Sequence, residues 1–205
     1  MNNIEMLKKL ITLISPGLSY TNVRQQNLSK VESTAIEEAG EFIKDKYKNL
    51  ILYDKIKTME EAASEIKLHK PDIVIDDYIQ KIIVNGSKDR RFQLEDIMNE
   101  YSWIAKDNNL HVITVSQLNR EVEKRTTNPR PRMSDFAESG AIEQVCETAI
   151  FPFRGFVFDH HKFGKNEFEL IAAKVRYGDP KTILIGFNGN RCKMYPTEME
   201  AKLGT

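Results

Sequence analysis

Cysteine is scarce in this 205-residue chain: only Cys146 and Cys192 occur, at no metal-like spacing. Reduced thiols in a cytosolic protein fit that pattern better than a disulfide. Net charge is missing as well, since 30 basic residues balance 30 acidic ones. No global field marks a nucleic-acid or membrane partner, so any such site must be a local patch. No apolar run approaches the roughly 20 residues that cross a bilayer. The start, "MNNIEMLKKLITLISPG", has lysines inside its apolar stretch and no small-residue cleavage site, so it does not read as a signal peptide. The ten glycines are scattered. None belongs to a GxxxxGK(S/T) loop, whose amides and lysine cradle phosphates. The nearest glycine–lysine pair, Gly164-Lys165, precedes a strand and reads as a loop.

What is present describes a soluble α/β chain. Apolar residues at 40% and charged ones at 29% are ordinary for a globular protein, and the length suggests one domain. Ile4, Leu7, Leu10, Ile11 and Ile14 fall at helical spacing before Pro16-Gly17. Ile36, Ala39, Phe42, Ile43 and Tyr47 make a second stripe, and Met59, Ala62, Ala63 and Ile66 a third. Between them "NLILYD" (49–54) reads as a short buried strand. "PDIVIDDYIQ" (71–80) is the next strand, followed by a long helix on Leu94, Ile97, Met98, Tyr101, Ile104 and Ala105, then the strand "LHVITVSQ" (110–117). This alternation implies right-handed crossovers and a mostly parallel sheet flanked by helices. After residue 118 come a loop (119–132), a short helix "ESGAIEQVCE" and the strand "TAIFPF" (148–153). "ELIAAKVR" (169–176) and "KTILIGF" (181–187) then form an antiparallel hairpin, onto which "RCKMY" can pair.

The chemistry gathers where strands end. In open parallel sheets ligands sit outside the carboxyl ends of strands. An Asp at the tip of "DIVIDD" can hold the Mg²⁺ that accompanies a nucleotide, and a Gln at the tip of "HVITVSQ" can meet a phosphate oxygen or an attacking water. Each also has a plain reading, as a polar residue opening a solvated turn. Grouping Asp76 and Asp77 with Glu95 and Asp96 as a two-metal nuclease cluster is the least supported option, because Asp96 lies beside core positions of an amphipathic helix. His160 and His161 lack a third ligand at useful spacing and read as surface loop.

Four segments in order, "DIVIDDYIQ", "VITVSQLNREVEKR", "RPRMSDFAESGAIEQVCETAIFPFR" and "LIAAKVRYGDPKT", resemble the DnaB-type hexameric replicative DNA helicases, whose motor has a RecA-like fold. The likeness covers about residues 4 to 187, and "SDFAESGAIEQ" is its most diagnostic piece. It implies an α/β RecA-like domain over 1–205, with a DNA-binding loop region at 119–140 and a C-terminal hairpin region at 167–195. Asp77 matches the Walker B acid, with Asp76 as substitute should the register slip, and Gln117 matches the phosphate-sensing glutamine. Lys174 and Arg176 match the basic pair that reaches into a neighbouring subunit's ATP site. Residues 130–140 match the channel loop that follows single-stranded DNA, which implies contacts from Arg130, Arg132, Glu138, Ser139 and Gly140. Over residues 119–132, Arg120, Lys124, Arg125, Arg130 and Arg132 outnumber Glu121 and Glu123, and such a loop can neutralise phosphates without reading bases. Phe136 and Ala137 stand where the family typically has a leucine and an arginine, so that arginine contact is lost.

"NIEMLKKLITLI" resembles the family's "SLEM" motif and makes Glu5 the match for the residue that activates the attacking water; an exposed acid in a helix's first turn is the alternative. Against the family pattern the domain is incomplete at its N-terminus, lacking the first strand and the phosphate loop. The expectation is a replicative helicase segment using ATP and Mg²⁺, cytoplasmic in a bacterium or phage-infected host. It would work in a 5′-to-3′ hexameric ring and depend on a complementary fragment that carries the phosphate loop. The alternative is a non-catalytic single-strand-binding or regulatory remnant. An exposed "DIVIDD" edge and an uncovered sheet face are expected to limit stability and invite pairing with another chain.

Overall fold

Capping residues decide where the helices begin. The computed structural model describes residues 2–84, 89–125, 127–137 and 140–204. The elements are α1 (Asn3–Ile14), α2 (Tyr20–Gln25), α3 (Lys30–Lys46), α4 (Met59–His69), β1 (Ile73–Asp77), α5 (Arg90–Asn108), β2 (His111–Val115), α6 (Gly140–Val145), β3 (Thr148–Phe153), β4 (Glu167–Val175), β5 (Lys181–Asn188), β6 (Lys193–Tyr195) and α7 (Glu198–Leu203). Ser29 with Glu32, and Thr58 with Glu61, form capping boxes that satisfy the free amides opening α3 and α4. Asp89 caps α5, and Asn109, in the left-handed region at φ 50°, ends it.

The chain divides into two compact units. One comprises residues 55–153 and 169–183. Within it β1 and β2 pair in parallel, Ile73 opposite His111 through Asp77 opposite Val115. Alternation sends Val74 and Val112 into the core with α4 and α5, where Met59, Ile66, Ile79, Leu94, Ile97 and Ile104 are buried. Each such aliphatic side chain contributes about 1.5–3 kcal/mol by leaving water. The other sheet face shows Ile73, Ile75, Ile113 and Val115 to solvent, with Ile75 68% exposed. In the same unit β3 pairs antiparallel with β4, and a bulge falls between Ala149 and Ile150.

The second unit comprises residues 1–54, 154–168 and 184–205, and so holds α1 to α3, β6 and α7. Asn2 caps α1 by accepting from the Glu5 amide, and β5 pairs antiparallel with β6. Gly186 lets the carbonyl of Thr197, the cap of α7, lie against β5, because a Cβ there would sit 2.0 Å from that oxygen.

Most expected elements form, with three differences. "NLILYD" is not a strand: Leu50, Ile51 and Tyr53 are exposed, and the segment is held by Asn3, which donates to the Leu52 carbonyl and the Asp54 carboxylate. Its own backbone finds no ladder partner among the described residues. The loop at 119–132 contains a 3₁₀ turn over Arg120–Lys124. Two helices, α2 and α7, went unforeseen, since six residues are too few to establish a helical period.

Candidate functional site at the carboxyl rim of the parallel strands

The two adjacent acids of β1 face opposite ways. Asp76 turns to the covered side, where the Tyr101 hydroxyl donates to its Oδ2 at 3.1 Å. Burial pushes the Asp76 carboxyl above the usual range, the Tyr101 bond opposes that shift, and the neighbouring Asp77 adds to it. The Tyr101 hydroxyl is itself pushed well up, first by burial and then by the Asp76 charge. Asp77 ends the strand with its side chain exposed, on the rim where β2 also ends. An exposed carboxylate at that position has the hard oxygen donors that suit Mg²⁺.

Gln117 lies two residues beyond β2, at the same rim as Asp77. Gln80 ties the two strand tips together. Its Nε2 donates to Ser116 Oγ at 2.8 Å, and its Oε1 accepts from the Gln117 amide at 3.2 Å. The Gln117 carbonyl accepts from the Ala137 amide at 3.3 Å, and Asn119 donates from its amide to the Asp135 carbonyl at 2.7 Å. Between these bonds Leu118 and Phe136 form an isolated antiparallel bridge. The tip of β2 is thus laced to the segment before α6.

That segment is braced by acids. Arg125 grips the buried Asp135 with both arms of its guanidinium, while Asp135 also accepts from the Arg132 amide at 2.7 Å. Arg130 donates to both carboxylate oxygens of Glu169, at 2.7 and 2.6 Å, and stacks over Phe153 at 5.4 Å. Glu169 is 2% exposed, so the Arg130 guanidinium is committed to neutralising it. A phosphate contact from Arg130 would require giving up that pair. The Arg132 side chain is exposed, Gly140 opens α6, and Glu138 and Ser139 lie outside the described residues. Phe136 packs on Phe151, ring centroids 5.0 Å apart.

Lys174 and Arg176 both have partners within their own chain. Lys174 Nζ donates to the Glu143 carbonyl at 2.7 Å, capping the end of α6, and Arg176 pairs with Glu147 at 3.5 Å. Glu5 belongs to the other unit and sits, half-buried, in the first turn of α1. Bonds from Lys8 at 3.2 Å and the Tyr20 hydroxyl at 3.0 Å, the Lys8 bond foremost, hold its carboxyl below the usual range. No group of three or more His, Cys, Asp or Glu side chains among the described residues could hold a metal, so the four-carboxylate nuclease cluster does not assemble. His160 and His161 stack on each other at 4.0 Å, and both cysteines are free.

Sequence reasoning missed four residues at or near this site: Gln80, Tyr101, Asp135 and Glu169. Gln80 and Asp135 stand inside quoted motifs. Glu169 carried no such signal, because β4 also holds the charges of Glu167 and Lys174.

Parallel strands with helical crossovers, ending in an acid and a glutamine at one rim, are the arrangement of a RecA-like α/β domain. The DnaB-like helicase C terminal domain family matches residues 1–195, and the chain belongs to that family. It is 30% identical over 184 residues to a probable plasmid replicative DNA helicase of Chlamydia muridarum, covering 87% of this chain and 40% of that protein. It is 40% identical over 117 residues to the replicative DNA helicase DnaC of Bacillus subtilis, covering 56% of this chain and 26% of that one. Among solved structures, the ATPase domain of G40P superposes with a TM-score of 0.87 at 26% identity, over 95% of this chain and 71% of that one. A DnaB-like replicative helicase, studied with its interactions with primase, gives a TM-score of 0.86 at 26% identity, over 95% of this chain and 48% of the other. The chain therefore spans less than half the length of these curated relatives. No helix among the described residues is long and apolar enough to cross a membrane.

Proposed function

We propose that this chain is the C-terminal motor segment of an ATP-dependent replicative DNA helicase that acts as a hexameric ring on single-stranded DNA. Asp77 holds the Mg²⁺ of the nucleotide, and Gln117 reads its terminal phosphate. Lys174 and Arg176 leave their cis partners and serve the neighbouring subunit's site, where a trans cation stabilises the charge that builds on the transferred phosphoryl group. Residues 130–140 follow the DNA backbone, with Arg132 rather than Arg130 as the free cation. The observation that carries this reading is the shared rim of Asp77 and Gln117 on adjacent parallel strands.

ATP turnover requires a phosphate loop, which this sequence does not contain. A complementary polypeptide bearing that loop would supply it, and the exposed face of Ile73, Ile75, Ile113 and Val115 gives such a partner an apolar seat. The test is reconstitution. Mixing the chain with a family fragment that carries the loop should produce DNA-stimulated ATPase, and Asp77→Ala should remove nearly all of it. Undiminished activity in the Asp77→Ala mixture sinks the metal role. A second reading is a non-catalytic single-strand-binding or regulatory remnant. Salt-sensitive binding of single strands, with no ATPase in any mixture, would select it.

A further inference from the structure

The solvent side of α5 carries two large aromatic rings. Phe92 is 58% exposed and Trp103 61%. Eleven residues separate them, close to three helical turns, so they share a face and lie about 16 Å apart along the axis. Folding does not need them there, because the opposite face already fills the core with Leu94, Ile97, Met98, Tyr101 and Ile104.

Beside this stripe lies a cavity of about 420 Å³ lined by Met59, Glu60, Ala63, Val84, Asp96 and Glu100. Met59, Ala63 and Val84 give it apolar lining, and the other three residues are all carboxylates. Among the described residues none of these three acids is in an ion pair. Aromatic anchors beside a small pocket are what concentrate binding energy at protein interfaces. The sign of the charge selects the partner: a cationic surface is attracted, while a phosphate backbone is repelled.

We propose that this face docks a basic amphipathic helix of a partner protein. The partner's Lys or Arg side chains pair with Glu60, Asp96 and Glu100, and an aliphatic side chain enters the cavity. Phe92 and Trp103 clasp the helix at either end of the stripe. The surface is distinct from the rim that carries Asp77 and Gln117, and its occupancy does not require ATP chemistry.

Trp103 is the only tryptophan in the chain, so its emission reports on this face alone. The intact chain should be titrated with a short helical lysine–leucine peptide, with its glutamate–leucine counterpart, and with a single-stranded oligonucleotide. The expected result is a saturable blue shift with the basic peptide only. Asp96→Asn with Glu100→Gln should weaken that binding about tenfold or more, as should Phe92→Ala. All three residues are at or near the surface, and circular dichroism checks that the variants remain folded. No shift with the basic peptide, an equal shift with the acidic one, unchanged affinity in the variants, or a shift with the oligonucleotide would each overturn the proposal.

Discussion

Asp76 shows how one residue's surroundings set a measurable pH response. Its folded pKa is raised, chiefly by burial, so the folded state holds this proton more tightly than the unfolded chain does. The contribution to stability is complete below the unfolded value, about 3.9, and is lost as pH rises through the raised folded value. Asp76→Asn keeps an oxygen for the Tyr101 hydroxyl and removes the charge. The variant should therefore have a higher urea midpoint than the parent at pH 7, with the gap closing towards pH 4. Arg130 and Arg132 separate in another way. Arg130→Ala would strand the buried Glu169 carboxylate, an error that costs about 3–5 kcal/mol in a fully buried pair and less here, since Arg130 keeps 38% of its side chain exposed. Thermal unfolding should show a clear drop. Arg132→Ala should leave the melting temperature unchanged while weakening single-strand binding and reducing the salt slope by about one ion.

Single elements show how much the sequence could reveal. The strands β1 and β2 were legible because three or four β-branched residues end sharply in polar ones, and α5 was legible because its apolar positions repeat over about three turns. Motif order pointed to the rim, since Asp77 closes β1 and Gln117 follows the end of β2 by two residues. What stayed hidden was pairing across long separations. Nothing local marks Glu169 as the partner of Arg130, 39 residues away, or Gln80 as the link to Ser116, 36 residues away. "NLILYD" misled for the same reason, because an apolar run becomes a strand only where another backbone completes its ladder. Caps, in contrast, are local. Thr58→Ala should cost about 1 kcal/mol by removing the capping box of α4, read as a lower denaturant midpoint with an unchanged slope.

Across the whole molecule, the exposed face of the parallel strands is the feature with the broadest effect. Four β-branched side chains on two short strands, with no further strand paired to either edge among the described residues, are a template for association. The chain alone should associate as its concentration rises, and Ile75→Lys should suppress that in light scattering without unfolding the protein. In the proposed function, the same variant should also fail to recover ATPase with a phosphate-loop partner. A last consequence concerns the lacing of Gln117 to Ala137 and of Asn119 to Asp135. With the bridge of Leu118 and Phe136 between them, these bonds join the glutamine tip directly to residues 135–137. In the proposed function, a DNA-following segment hung on a floppy tether could ignore the nucleotide, whereas one riveted to the strand that leads to Gln117 moves in step with it.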